Sequence, residues 1–358
     1  MSQAVLATAM PDALRARREA LHDFPGTLWL AEGPEAAPQG AILALRRPTG
    51  ALLRIAGFWV DAAAPDREAI ARRLAARLEA AARREGVLVL RAPAGTVEDG
   101  LDPALLPLLG LGGEGGASYA ERWLDNDVPV PRRAIPLYPQ STRFTCGPAS
   151  LLMGFGALTG RPVTRSEEIA LWREASSIVA QSGPGGCDPF GLALAAQARG
   201  FAPEILVTTE RPTLTERVDT DEKRDLIDFV QAGFRARVAE AGIPVRLGGF
   251  AVTDLAAPVA EGAPVLLLVS QFPTHGRYTP HWILLHHAWS DRFLVNDPWP
   301  DPLRQETAAD AEHLPLRAEA LELMAWYGEP PYRAALILRR PVDAVHKGAD
   351  PGISTVPG

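Results

Sequence analysis

Residues 140–152 read QSTRFTCGPASLL, and the fold is decided by how this stretch is read. It carries Cys146, one of only two cysteines in 358 residues. A polar, extended segment gives way here to a helical pattern. Gly147 and Pro148 suit a tight entry and a first helical turn, and Ala149, Leu151, Leu152 and Phe155 supply an apolar face. A thiol at a helix N-terminus feels the positive end of the macrodipole, which favours the thiolate, and the thiolate is the nucleophile. The competing reading of Cys146 is a buried structural thiol, so the question becomes whether the chain supplies partners.

Composition sets the bounds. A length of 358 residues favours two domains, and an apolar fraction of 47% can build cores for both. The net charge is −7 with no basic block, which argues against a nucleic-acid partner. Lys223 and Lys347 are the only lysines, a bias toward Arg that reads as genome composition. Two cysteines make no disulfide framework, and no cluster has zinc-ligand spacing, so neither metal nor cofactor is expected. The N-terminal residues lack a basic region before an apolar core, and no run reaches about 18 apolar residues, which predicts no signal peptide, no membrane span and a cytoplasmic location.

In chain order, residues 10–23 predict a short helix and 27–31 a strand. Strands at 41–45 and 51–60 are joined by a turn containing Pro48 and Gly50. Asp66 is placed to cap a long helix at 67–85, which Gly86 stops; a buried strand at 87–90, a brief helix at 103–109 and a strand at 119–124 follow. This order over about the first 125 residues resembles the GNAT acetyltransferase fold. The resemblance implies pyrophosphate binding by a Gly-rich loop at the start of the long helix. Here that junction reads VDAAAPDREAIA from Val60, without glycine, and Asp66 would oppose a phosphate. Residues 1–126 are therefore expected to form a degenerate GNAT-like scaffold that recruits a substrate or partner protein.

Residues 127–136 are rich in proline and charge and predict a linker, with a second unit at 137–341 that folds without the first and a disordered tail at 342–358. In the second unit, Ser166 is a candidate cap for a helix at 167–175, Pro189 starts another, and 221–241 is a long polar helix. Strands at 264–270, 281–288 and 293–297 follow, then a helix at 316–327 and a closing strand at 333–338. Helices first and an antiparallel sheet last make an α+β class with a papain-like order, the nucleophile on a helix and its base on the sheet.

Of the seven histidines, His281 opens a predicted strand, where the rim of a sheet exposes a catalytic group, whereas His286 and His287 lie toward its far end. If the strands flanking residues 289–292 pair as a hairpin, position 281 lies opposite roughly 298 or 299 and Asp297 shares its rim. A carboxylate there would fix the imidazole tautomer and support the imidazolium. Gln140, six residues before Cys146, offers a side-chain amide, and the Cys146 N–H a second donor, for a developing oxyanion. Cys187, in the loop GPGGCDP, reads as a residue whose backbone matters more than its sulfur.

Taken together, Gln140, Cys146-Gly147-x-Ala149, His281-Trp282 with its aliphatic strand, and Asp297-Pro298 resemble the papain-fold peptidases that remove double-glycine leaders from bacteriocin precursors. The layout is similar to stand-alone relatives in which such a domain follows a GNAT-like one. The resemblance implies Cys146 as nucleophile, His281 as base, Asp297 as its orienter and Gln140 as oxyanion donor. The expected activity is cysteine-peptidase hydrolysis of an amide in a peptide or peptide-like substrate. An acyltransferase or amidase keeps the same chemistry, and a non-catalytic peptide-binding module is the rival of a different class.

Overall fold

The computed structural model describes residues 10–34, 37–96, 99–112, 118–125, 135, 137–177 and 185–340. The expected linker, Ile135 apart, and the expected tail lie outside the described residues.

The first unit opens with helix α1 (Asp12–Leu21) and strands β1 (Thr27–Glu32), β2 (Gly40–Leu45) and β3 (Leu52–Val60). Helix α2 (Arg67–Arg84), strand β4 (Val89–Pro93), a 3₁₀ turn at Pro103–Leu109 and β5 (Tyr119–Trp123) complete it. The five strands are hydrogen-bonded in sequence order, with only β3 and β4 parallel. Successive side chains of β2 alternate between two cores. Ile42 and Ala44 pack with Ile70, Leu74 and Leu78 of α2, while Leu43 and Leu45 pack with Leu14 and Leu21 of α1. Asp66 caps α2 through the Ala69 N–H at 3.3 Å, as its position predicts.

The second unit begins with α3 (Cys146–Thr159), α4 (Arg165–Ala175) and α5 (Pro189–Gln197), followed by β6 (Ala202–Val207) and α6 (Asp221–Glu240). Then come β7 (Val245–Leu247), α7 (Ala256–Ala260), β8 (Val265–Ser270), α8 (Phe272–His275), β9 (Pro280–Trp289) and β10 (Arg292–Asn296). The chain closes with α9 (Ala308–Ala311), β11 (Leu314–Arg317), α10 (Ala318–Met324) and β12 (Ala334–Arg339). The seven strands run β11-β10-β9-β8-β12-β6-β7, antiparallel except for β6 and β7. Leu266, Leu268 and Leu284 face α3, and Val265, Leu267, Ile283 and Leu285 face the opposite core. That opposite core also contains Leu52 and Val89 of the first unit.

Two local expectations are corrected. Thr164, not Ser166, caps α4 by accepting the Glu167 N–H. The helix expected at 316–327 is shorter, because Leu314–Arg317 is strand β11, paired with β10. Its Pro315 is tolerated because β11 is the end strand and that residue owes no N–H to a further neighbour.

The two units meet along a polar seam. Arg54 Nε lies 2.6 Å from Asp310 Oδ1, and Arg91 Nη1 donates to Ala309 O at 3.1 Å and also to Glu312 O. Ala51 N–H donates to Pro315 O, and Arg304 donates to the carbonyls of Pro25 and Arg46. Arg54, Arg91 and Asp310 are buried, so each depends on its partner for the solvation that water no longer supplies.

Candidate active site

Cys146 is the first residue of α3, where the leading N–H groups have no intrahelical acceptor. A Cβ at position 147 would stand 3.1 Å from both Cys187 Cβ and Trp282 Cδ1, so glycine is what lets the helix start this close to β9. Ser150 Oγ donates to Trp282 O at 3.0 Å and ties the first turn of the helix to the strand.

His281 is the second residue of β9 and is buried. Its Nε2 lies 2.6 Å from Asp297 Oδ1. The ring also acts electrostatically on the Cys146 thiol, and with Nε2 at the carboxylate Nδ1 is the ring nitrogen left to face it. The backbone registers Arg292↔Trp289 and Leu294↔His287 change to Val295↔Leu285 and Asn296↔Leu284 through a bulge between Leu294 and Val295. The shifted register puts Asp297 on the same face as His281. Without the bulge, Asn296 would occupy that face, since a one-residue slip exchanges faces. Asn296 is instead buried in a structural role, donating to Ile135 O and accepting from His313 N–H.

Asp297 is held at both oxygens. Oδ1 takes the His281 ring and the Trp299 N–H at 2.8 Å, and Oδ2 takes Arg47 Nη1 at 2.5 Å. Burial would raise the carboxyl, but His281, Arg47 and His275 together hold it far below the usual carboxylate range. Burial likewise opposes an imidazolium at His281. Asp297 and the Cys146 sulfur more than offset it and push the histidine up to about 10. Burial also opposes a thiolate at Cys146; His281 and the N–H groups of Trp282 and Gly147 reverse that, and the thiol is lowered. The arrangement favours a thiolate–imidazolium pair.

Gln140 joins the same rim through its backbone, its N–H donating to Pro298 O at 2.9 Å. Its side-chain Nε2 donates to Thr142 O at 2.6 Å, leaving one amide hydrogen, and Oε1 is buried without a partner. His281 therefore stands between Cys146 and Asp297, interacting with both, and Gln140 is tied beside them by its main chain. Cys187 is buried next to Cys146, with its thiol pushed well above its ordinary value by burial first and the neighbouring sulfur second. Its carbonyl accepts from Trp282 Nε1, the backbone role its loop suggests. Among the described residues no group of His, Cys, Asp or Glu side chains is arranged to hold a metal ion, and no helix is long and apolar enough to cross a membrane. Arg47 and Glu306 escaped sequence reading. Arg47 lies on a turn of the first unit, 250 positions before Asp297, and nothing local marks it.

The model of the Peptidase_C39 like family matches residues 135–339. The chain belongs to this family. Membership makes it cysteine peptidase-like, and the match spans helix α3, the seven-stranded sheet and the β9–β10 hairpin. Among solved structures, the family member is similar to the peptidase domain of Streptococcus ComA, described as a bifunctional ABC transporter involved in a quorum-sensing pathway. Identity there is 13%, covering 58% of this chain and 100% of that one, with a TM-score of 0.29. The peptidase domain of Streptococcus mutans ComA is also similar, at 14% identity over 56% of this chain and 97% of that one, with a TM-score of 0.24. No curated protein matches.

Proposed function

We propose that the protein is a cysteine hydrolase that cleaves an amide bond in a peptide or peptide-like substrate through Cys146, His281 and Asp297. The observation that carries this reading is the line of contacts from the Cys146 thiol through the His281 ring to Asp297, with 2.6 Å between Nε2 and Oδ1. The thiolate attacks the carbonyl carbon. His281 gives its Nδ1 proton to the leaving amine as the tetrahedral intermediate collapses, which leaves a thioester on Cys146. Water then attacks the thioester; His281 takes its proton, and the acid is released as the sulfur leaves, with the thiolate–imidazolium pair restored. Asp297 stays ionised throughout and fixes the ring orientation. The Cys146 N–H and the remaining amide hydrogen of Gln140 serve the oxyanion. The reaction needs no cofactor.

Residues 1–126 we read as a GNAT-like scaffold that does not turn over acetyl-CoA. The first turn of α2, where such a fold would receive a pyrophosphate, is already occupied by the Asp66 carboxylate. The test is an electrophilic peptide probe added to the intact protein, with the adduct located by mass spectrometry. Labelling at Cys146 that is lost in His281→Ala supports the reading; labelling at Cys187 alone, or at neither thiol, overturns it.

A further inference from the structure

The turn between β2 and β3 inserts one side chain into the site. Arg47 is buried, and its guanidinium reaches three partners in the second unit. Nη1 lies 2.5 Å from Asp297 Oδ2, Nη2 and Nε bind the two oxygens of Glu306 at 2.6 and 3.1 Å, and Nη2 also donates to Trp299 O at 3.1 Å. The turn is itself fixed. Gly50 N–H closes it onto Arg47 O, and the neighbouring Thr49 and Ala51 bond Thr274 and Pro315 of the second unit.

We propose that Arg47 is a positioning residue of the hydrolytic site, supplied by the first unit, which holds Asp297 Oδ2 so that Oδ1 is presented to His281. The inference rests on the hydrolase reading above. A carboxylate with one fixed oxygen can rotate about its terminal torsion. Asp297 has both oxygens fixed, Oδ1 from within its own unit and Oδ2 from the other. The requirement is for a fork. A lysine ammonium is a point charge and cannot hold Asp297, both oxygens of Glu306 and a carbonyl in one plane. Glu306 in turn accepts the Asp301 N–H at 2.8 Å, so the Arg47 anchor is locked from behind. The charged and titratable groups facing this cluster are His275 on α8, Arg304, Asp301 and Glu306 on the loop after β10, Asp310 on α9, and Cys187 and Asp188 beside Cys146. None of these reaches Asp297 Oδ2 by a hydrogen bond among the described residues; Arg47 does.

A hydrolase assembled this way has its site completed by its first unit, which is a reason for the two units to share one chain. The seam would then act as more than packing: any ligand or partner that shifts the turn at residues 46–50 would reach the catalytic histidine through Asp297.

The test uses the full chain and reads Cys146 alkylation by iodoacetamide across pH, together with the far-downfield proton of the His281 Nε2–H···Asp297 bond by NMR. Wild type and His281→Ala come first. If Cys146 is not faster than Cys187, or His281→Ala changes nothing, the hydrolase reading fails, whatever Arg47 does. If both controls behave, Arg47→Met should move the acid limb of the alkylation profile up by about one pH unit, about tenfold in rate on that limb, and broaden or abolish the downfield proton. Arg47→Lys should fall between the two. Arg47→Met/Glu306→Gln keeps the buried charge balanced and serves where Arg47→Met alone does not fold. A folded Arg47→Met or double variant with a wild-type acid limb and an intact downfield proton overturns the proposal. Should neither fold, a wild-type limb and proton in Arg47→Lys would do the same. A role confined to holding the seam together would lower the melting temperature and leave both readouts unmoved.

Discussion

Strand β9 carries a buried histidine near each end, and the two have opposite characters. His281, at the rim, meets a carboxylate at 2.6 Å and is pushed up to about 10. His286, nearer the turn, has its Nε2 3.2 Å from Nδ1 of His313 and is driven well below its ordinary value. Burial alone pushes both downward. At the rim one carboxylate, held ionised by Arg47, reverses the sign; at the other end the partner is a second imidazole, which adds repulsion when charged and supplies no compensating anion. A histidine in a strand is thus made into a charged base or a neutral packing group by the side chain set against it, Asp297 just after β10 or His313 just before β11. The bulge falls at His286 itself, the residue of β9 left out of the register, and it carries Asp297 to the rim.

The sharpest way to break this comparison is to remove each histidine. His281→Ala and Cys146→Ala should each cost on the order of 10⁶ in turnover, with the double variant little worse, because the pair works as a unit. His286→Ala should leave the rate within a few-fold and lower the melting temperature instead. Turnover lost in His286→Ala but kept in His281→Ala would assign the base to the wrong end of the strand. Asp297→Asn comes next. It keeps the shape but removes the charge that reverses His281, and should slow turnover by roughly 10⁴ without abolishing it. An Asp297→Asn enzyme running at the wild-type rate would mean that the carboxylate does nothing at the rim.

Much of this was legible because it is local. Cys146 announces itself by the helix start after it, and His281 and Asp297 are 16 residues apart on one hairpin whose turn can be read from Trp289 to Arg292. The bulge was not legible: its extra residue is His286, set between Leu285 and His287 on β9, with no glycine or proline to mark a slipped register. Nor was β11, because Leu316, Ala320 and Leu323 fit a helical spacing that pairing with β10 overrides. Arg47 is invisible for a different reason, since a charged residue on a turn normally faces water and only the seam buries it. The proline-rich connection predicts a second unit that folds alone, whereas the seam predicts that a chain starting at residue 135 loses Arg54 from Asp310 and Arg47 from Glu306 and Asp297. Melting the truncated and full chains decides between these. Equal, cooperative transitions would make the seam a weak contact.

Gln140 bears on how much of the rim chemistry lies outside the histidine. Gln140→Ala removes one oxyanion donor and should cost about 10²–10³ in rate, roughly 2.7–4 kcal/mol, with little change in substrate binding. A change confined to KM would place Gln140 in substrate binding instead and leave the Cys146 N–H as the oxyanion donor.

The smallest effect is on stability, and it separates the two histidines by sign. The folded pKa of His281 lies above the ordinary value of about 6.5, so its contribution is fully present below that pH and is lost as the pH rises through about 10. His286 and His313 are lowered in the folded chain. When the pH falls through about 6.5 the unfolded chain takes up protons that the folded chain refuses, and stability drops. Between about pH 7.5 and 5.5 these two histidines therefore each contribute a loss of stability on acidification, by up to about 1.4 kcal/mol per pH unit, against which His281 and Asp188, raised by burial to about 6, contribute with the opposite sign. Asp297 and Glu306 do not contribute in this window, because both are already lowered and titrate below it. In His286→Gln the acid slope of the melting temperature should flatten, while the loss above about pH 9 that belongs to His281 remains. An unchanged acid slope in His286→Gln would show that the imidazole pair is not the source, and that burial at this end of β9 leaves the histidines free to charge.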